Sequence, residues 1–75
     1  MWINIGVNLV NLSLAKVIGI SSSGGIKIDD LSVSMNWEDV GYFLDGIKKI
    51  LKSSPFDYSV FDIEEIISAG GKDIE

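Results

Sequence analysis

The chain has 75 residues, no cysteine and a formal charge of −5, because eleven Asp and Glu outnumber six Lys. It also lacks histidine, arginine, threonine and glutamine. The side chains that most often transfer protons near neutral pH, attack as thiolates or bind phosphate as a fork are therefore missing. These absences exclude a disulfide scaffold and argue against an enzyme, so we expect no catalytic, cofactor-binding or metal-binding residues.

The charge balance also argues against binding to polyanions. Proteins neutralise DNA or RNA phosphates with Lys and Arg, and here the lysines are outnumbered by carboxylates. We expect neither a nucleic-acid partner nor an anionic membrane surface. A mobility-shift assay with duplex DNA and RNA at about 150 mM salt checks this prediction, and binding at micromolar or lower protein concentration would contradict it.

Hydrophobic residues make up 47% of the chain, which is a high fraction for one small domain. A domain of 75 residues has little interior in which to bury so many aliphatic side chains. We therefore expect a single domain over residues 1–75 whose apolar surface is shared with another copy, giving a homo-oligomer. A different protein partner is the alternative occupant of that surface.

The first twenty residues are apolar, but Asn4, Asn8, Asn11 and Ser13 interrupt them and no Lys or Arg precedes them. A secretory signal begins with a basic segment, and a membrane helix needs about 20 mostly apolar residues. The segment therefore predicts strands, and we expect a cytoplasmic chain, in keeping with the absence of cysteine. The glycosylation sequon that begins at Asn11 carries no weight without a secretory signal.

Short runs rich in β-branched residues predict the strands. The glycine pair in residues 21–25 favours a tight hairpin, and Gly6-Val7-Asn8 is a second turn candidate. The apolar positions change parity at Asp29-Asp30, which predicts a turn there. We expect an α+β fold with one antiparallel meander of four to five strands. The predicted strand segments are residues 2–5, 9–12, 17–20, 26–28 and 31–37.

From Asn36 onward the apolar period becomes helical, which predicts an amphipathic helix over residues 37–52. Asn36 suits an N-cap, and Pro55 follows the predicted end. Acidic residues precede lysines along the helix, as the helix dipole favours. The predicted buried stripe is Trp37, Val40, Phe43, Leu44, Ile47, Ile50 and Leu51.

The remainder of the chain predicts a second, shorter helix over about residues 62–69. Asp62 and Glu65 have the spacing of a capping box, and Gly70-Gly71 provides a stop. Residues 57–61 are compatible with a last short strand or with irregular structure. The last residues, 72–75, are expected to fray.

Two other polar segments have a structural and a functional interpretation. The Ser-Gly segment 21–25 resembles an anion nest, but no lysine and helix follow it, so we interpret it as a turn. Asp29-Asp30, with Glu38 and Asp39, could supply oxygen ligands to a divalent cation. Their spacing matches no calcium-binding loop, so a solvated turn is the favoured interpretation.

Three aromatic residues are candidates for an interaction surface: Trp2, Tyr42 and Tyr58. Aromatic side chains are enriched at interfaces. Tyr42 falls on the helix face opposite the apolar stripe, beside Gly46, and Trp2 lies close to a terminus. By contrast, Trp37 and Phe43 lie on the stripe and are expected in the core.

The sequence favours a small non-enzymatic protein-interaction module that self-associates, because sheet edges and apolar helix flanks of such a domain can be completed by another copy. The alternative is an acidic inhibitor that mimics nucleic acid and blocks a basic groove of another protein. The six lysines weaken that alternative, since they dilute an acidic surface.

Overall fold

The computed structural model describes residues 1–6, 8–22 and 24–72. It confirms the α+β class and both predicted helices. Val7 and Ser23 of the predicted turns, and residues 73–75 of the predicted frayed end, lie outside the described residues. Within the described ranges the elements are β1 (Trp2–Ile5), β2 (Asn8–Asn11), a 3₁₀ turn (Leu12–Leu14), β3 (Ile18–Ile20), β4 (Ile26–Ile28), β5 (Leu31–Val33), α1 (Trp37–Lys52), β6 (Val60–Asp62) and α2 (Ile63–Ala69).

The strands form two three-stranded sheets instead of the single expected meander. One sheet has the order β2-β1-β6 and the other has the order β3-β4-β5. The chain leaves the first sheet at the 3₁₀ turn, where Asn11 Oδ1 accepts hydrogen bonds from Ser13 N at 3.1 Å and Ser13 Oγ at 2.6 Å. This side-chain cap competes with continued strand pairing, so β3 begins a new sheet.

The β1–β6 pair is parallel, whereas we predicted only antiparallel pairing. Trp2, Ile3 and Asn4 align with Val60, Phe61 and Asp62. All other strand pairs are antiparallel. The uncertain segment 57–61 thus becomes a strand only from Val60 onward.

One hydrophobic core lies between the two sheets and the two helices. Ile3, Ile26, Phe43 and Ile66 are fully buried and come from four different elements. In the β3-β4-β5 sheet the isoleucines of β4 face the core, while Lys27 between them is exposed. The alternation of buried and exposed residues is that of a sheet with one covered face.

Helix α1 has the predicted bounds, but its N-cap differs in detail. Asn36 has extended backbone and makes no side-chain capping bond; its carbonyl oxygen accepts a hydrogen bond from Asp39 N at 2.9 Å. At the other end Ser53 Oγ donates to the Ile50 carbonyl oxygen at 2.6 Å. For α2 the predicted capping box is present, with Asp62 as N-cap and Glu65 as its partner.

The buried face of α1 is rotated relative to the predicted stripe. Trp37 is 75% exposed and Leu51 49% exposed, so their assignment to the core was wrong, and Leu44 is only partly buried. At about 100° per residue, these three lie on the flank away from Gly46, against which α2 packs. The buried residues of α1 are Val40, Phe43, Gly46, Ile47 and Ile50.

Two glycines allow α1 and α2 to approach at backbone distance. A Cβ atom on Gly46 would lie 1.8 Å from the carbonyl oxygen of Ile66, and one on Gly70 would lie 1.8 Å from the carbonyl oxygen of Tyr42. No side chain fits at either position without moving a helix. The contact between the helices therefore depends on both glycines.

The predicted turn at Asp29-Asp30 is present, and a carboxylate fixes it. Asp29 adopts a left-handed backbone with φ of 51°, and its Oδ1 accepts hydrogen bonds from the backbone amides of Lys16 at 3.0 Å and Val17 at 2.9 Å. The carboxylate thus ties the start of β3 to the β4–β5 turn. In residues 1–6, 8–22 and 24–72, no group of three or more acidic residues is placed to hold a metal ion.

Lys72, predicted to fray, forms an ion pair with Asp39 on α1. The hydrogen bond from its ammonium group to this carboxylate raises the pKa of Lys72. The pair ties the segment after α2 to the first turn of α1. Across the described ranges, neither helix combines the length and hydropathy needed to cross a bilayer.

Candidate interaction surface

The structure brings two of the three predicted aromatic residues into neighbouring segments. Trp2 N donates to the Ser59 carbonyl oxygen at 2.7 Å, next to Tyr58 in the chain. Tyr58 is exposed and stacks on Phe56, with ring centroids 5.4 Å apart and ring planes within 4°. Trp2 itself is half-buried on β1.

Tyr42 lies apart from this pair, on α1 beside the contact with α2. Its side chain is partly exposed, and its backbone carbonyl oxygen meets Gly70. The small neighbour Gly46, which suggested a contact surface at Tyr42, contacts α2 of the same chain. The glycine at this position is therefore explained without an external partner.

The outer face of the β2-β1-β6 sheet combines apolar and polar groups. Leu9 and Val60 are exposed there; Val60 aligns with Trp2, and Leu9 aligns with Asn4, whose Nδ2 donates to Asp62 Oδ1 at 3.0 Å. This hydrogen bond crosses from β1 to β6 through the middle of the face. The polar pair therefore lies beside Leu9, whereas Val60 lies beside Trp2.

A second apolar surface surrounds β3, and our sequence analysis did not name its residues as candidates. Ile20 pairs with Ile26 on the core side of its sheet, yet it is 56% exposed. Within residues 1–6, 8–22 and 24–72, no strand pairs with the outer side of β3. Leu14 and Val17, just before the strand, are also exposed. We define the β3 edge surface as Leu14, Val17, Ile18 and Ile20.

A groove of about 460 Å³ adjoins the β3 edge surface. It lies between the 3₁₀ turn, β3, the last turn of α1 and the loop that follows α1. Its apolar lining includes Leu12, Ile18, Leu51 and Pro55. Leu51, which the rotation of α1 leaves half-exposed, therefore faces this groove. The volume is within the range of ligand pockets in proteins, which are lined mainly by apolar groups.

Four polar or charged residues of the described ranges also line the groove. They are Ser13, Lys16, Ser54 and Asp57. The hydroxyl of Ser13 already donates to Asn11 Oδ1 at 2.6 Å.

One signal in the sequence identifies this surface in retrospect. Lys16 is the only charged residue between Met1 and Ile26, so no charge protects either strand edge in that stretch. The pairing that makes β3 an edge strand was the missing information.

No family model matches this chain, and no curated protein or solved structure is detectably similar to it.

Proposed function

We propose that this protein is a non-enzymatic interaction module that self-associates through the β3 edge surface and the adjoining groove. The observation that carries the proposal is an open strand edge made only of apolar residues and glycine, with Ile20 exposed on the core side of the sheet. An unprotected apolar edge is a template for pairing with another chain.

The other strand edges support the choice of β3 by contrast. β2 begins and ends with Asn8 and Asn11, β6 ends with Asp62, and β5 follows directly on Asp30. Polar and charged residues at an edge discourage pairing with another chain. Among the edge strands of the described part of the chain, only Ile18–Ile20 has neither within the strand.

The proposal also accounts for the composition. A stable interface buries roughly 800 Å² per partner, which is about a sixth of the 5040 Å² accessible surface of this chain. The β3 edge surface and Leu51 provide exposed aliphatic groups, and Ile18 and Leu51 line the same groove. Burying them would leave a surface with a more usual apolar content.

The acidic-mimic hypothesis ranks below self-association. A surface that replaces nucleic acid must present carboxylates continuously to a basic groove. On α1 the acidic first turn is followed by Lys48, Lys49 and Lys52, and Lys27 is exposed on β4. These ammonium groups would meet the cations of such a groove.

The test is molecular mass by light scattering over a dilution series, with two matched variants. We expect the wild type to be a dimer or larger at about 100 μM. Ile20→Lys should raise the dissociation constant about tenfold or more, because it puts a charge on the pairing edge and removes a central aliphatic contact. Leu9→Lys, at a residue 54% exposed on β2, should leave it nearly unchanged.

A monomeric wild type at about 100 μM would overturn the proposed function. Equal weakening by Ile20→Lys and Leu9→Lys would show that association is not mediated by the β3 edge surface. Circular dichroism of both variants checks that the fold is retained.

A further inference from the structure

The hydrogen-bond register of β3 determines which backbone groups are open. Asp29 N donates to Val17 O at 2.8 Å and Ser21 N donates to Gly25 O at 3.0 Å. Hydrogen-bonded pairs alternate along an antiparallel ladder, so Gly19 also bonds toward β4. The N–H and C=O groups of Ile18 and Ile20 therefore point away from β4, toward the uncovered side.

A second β3 strand can satisfy these groups in a small number of antiparallel registers. A two-fold axis at Ile18 would need the backbone N–H of Lys16, which already bonds to the Asp29 carboxylate. An axis at Ile20 would need Ser22, which lies in the turn beyond the strand. An axis at Gly19 uses the whole strand and no group that is already bonded.

We infer that the partner of this surface is a second copy of the chain, paired antiparallel through β3 about a two-fold axis at Gly19. Ile18 of each copy exchanges two backbone hydrogen bonds with Ile20 of the other. The two β3-β4-β5 sheets become one sheet of six strands. This inference rests on the proposed function and adds its partner, symmetry and register.

The same register brings apolar side chains together at the groove. Ile18 and Ile20 lie on the core side of the sheet, because they pair with the buried Ile28 and Ile26. In the pair, Ile20 of the second copy lies beside Ile18, which lines the groove together with Leu51. A three-residue edge alone offers too little area for a stable dimer, and the groove supplies additional apolar area.

Gly19 suits the axis for a steric reason. On the axis its two copies form a non-hydrogen-bonded pair, in which Cα atoms are about 4.5 Å apart. A Cβ atom on Gly19 would meet no other atom within 4 Å. The position is therefore open on the outer face of the sheet and accepts a small side chain.

The test uses a single cysteine, since the chain has none. About 4.5 Å between Cα atoms is within the range that a disulfide spans. Under mild oxidation at about 100 μM, we expect Gly19→Cys to form a covalent dimer in most molecules. Ser32→Cys, on the same outer face of the sheet but on the other edge strand, should remain largely uncrosslinked.

A second measurement uses the wild type and needs no substitution. Amide hydrogen exchange is followed at a protein concentration where the chain is monomeric and at one where it is dimeric. The exchange rates of the Ile18 and Ile20 amides should fall about tenfold or more in the dimer. The Gly19 amide, which bonds to β4 in both states, should change little.

The outcomes separate the two proposals. A monomer at every concentration overturns both self-association and the pairing. A dimer in which Gly19→Cys crosslinks no better than Ser32→Cys, and in which the Ile18 and Ile20 amides gain no protection, overturns the pairing at Gly19 alone. Crosslinking and protection as described support the proposed register.

Discussion

Gly46→Ala is expected to lower the free energy of unfolding by about 3 kcal/mol or more. The added methyl carbon would lie 1.8 Å from the Ile66 carbonyl oxygen, and because that atom is backbone, relief requires α1 and α2 to separate. A domain of this length has a total stability of only about 4–11 kcal/mol. Urea unfolding followed by circular dichroism measures the change.

The matched control is Gly41→Ala in the same helix. Gly41 is exposed and a Cβ atom there would meet nothing within 4 Å, so alanine should raise stability by about 0.5–1 kcal/mol through its better helix propensity. The two substitutions add the same atom and should have opposite signs. Similar effects at the two glycines would contradict the close approach of the helices.

Ile47→Ala is expected to lower the free energy of unfolding by about 2–5 kcal/mol, because it removes a buried branched side chain and leaves a cavity. Ile47 is 5% exposed on the core face of α1. Thermal or urea unfolding tests the prediction.

Lys48→Ala, at the exposed next position, serves as the control for Ile47→Ala. It should change stability by no more than about 0.5 kcal/mol. If both variants melt alike, the assigned face of α1 is wrong.

The helices were predictable because their signals are local. The apolar period of α1 and the capping pair Asp62 and Glu65 are contained within a few turns of chain. The hairpin at the glycine pair Gly24 and Gly25 and the turn at Asp29 are equally local. In each case the residues that determine the element are close neighbours in sequence.

What the sequence did not predict depends on contacts between distant residues. Nothing near Val60 indicates that it aligns with Trp2, so the parallel pair of β1 and β6 was not predictable. The rotation of α1 follows from its glycine contact with α2, so the exposure of Trp37 and Leu51 was not readable from the helical period. From the sequence alone, a glycine required for close helix packing at position 46 looks the same as one that only adds flexibility.

The candidate surface was predictable in kind but not in place. The high apolar fraction predicted a shared apolar surface, but the residues predicted for an interaction surface were the aromatic residues Trp2, Tyr42 and Tyr58. The β3 edge surface is aliphatic, and its exposure arises because β3 is the outer strand of its sheet. The aromatic residues stay a prediction, with Trp2 and Tyr58 in adjacent segments.

The parallel pairing of β1 with β6 has a consequence for the order of folding. The β3-β4-β5 hairpins close over short loops, but β1 is completed only by a strand nearly sixty positions later, an aligned pair being Trp2 and Val60. Contacts of such long sequence separation form slowly. Until β6 docks, one side of β1 is itself an unpaired edge beside the buried Ile3. During synthesis, β1 can complete its hydrogen bonds only after nearly sixty further residues have been added.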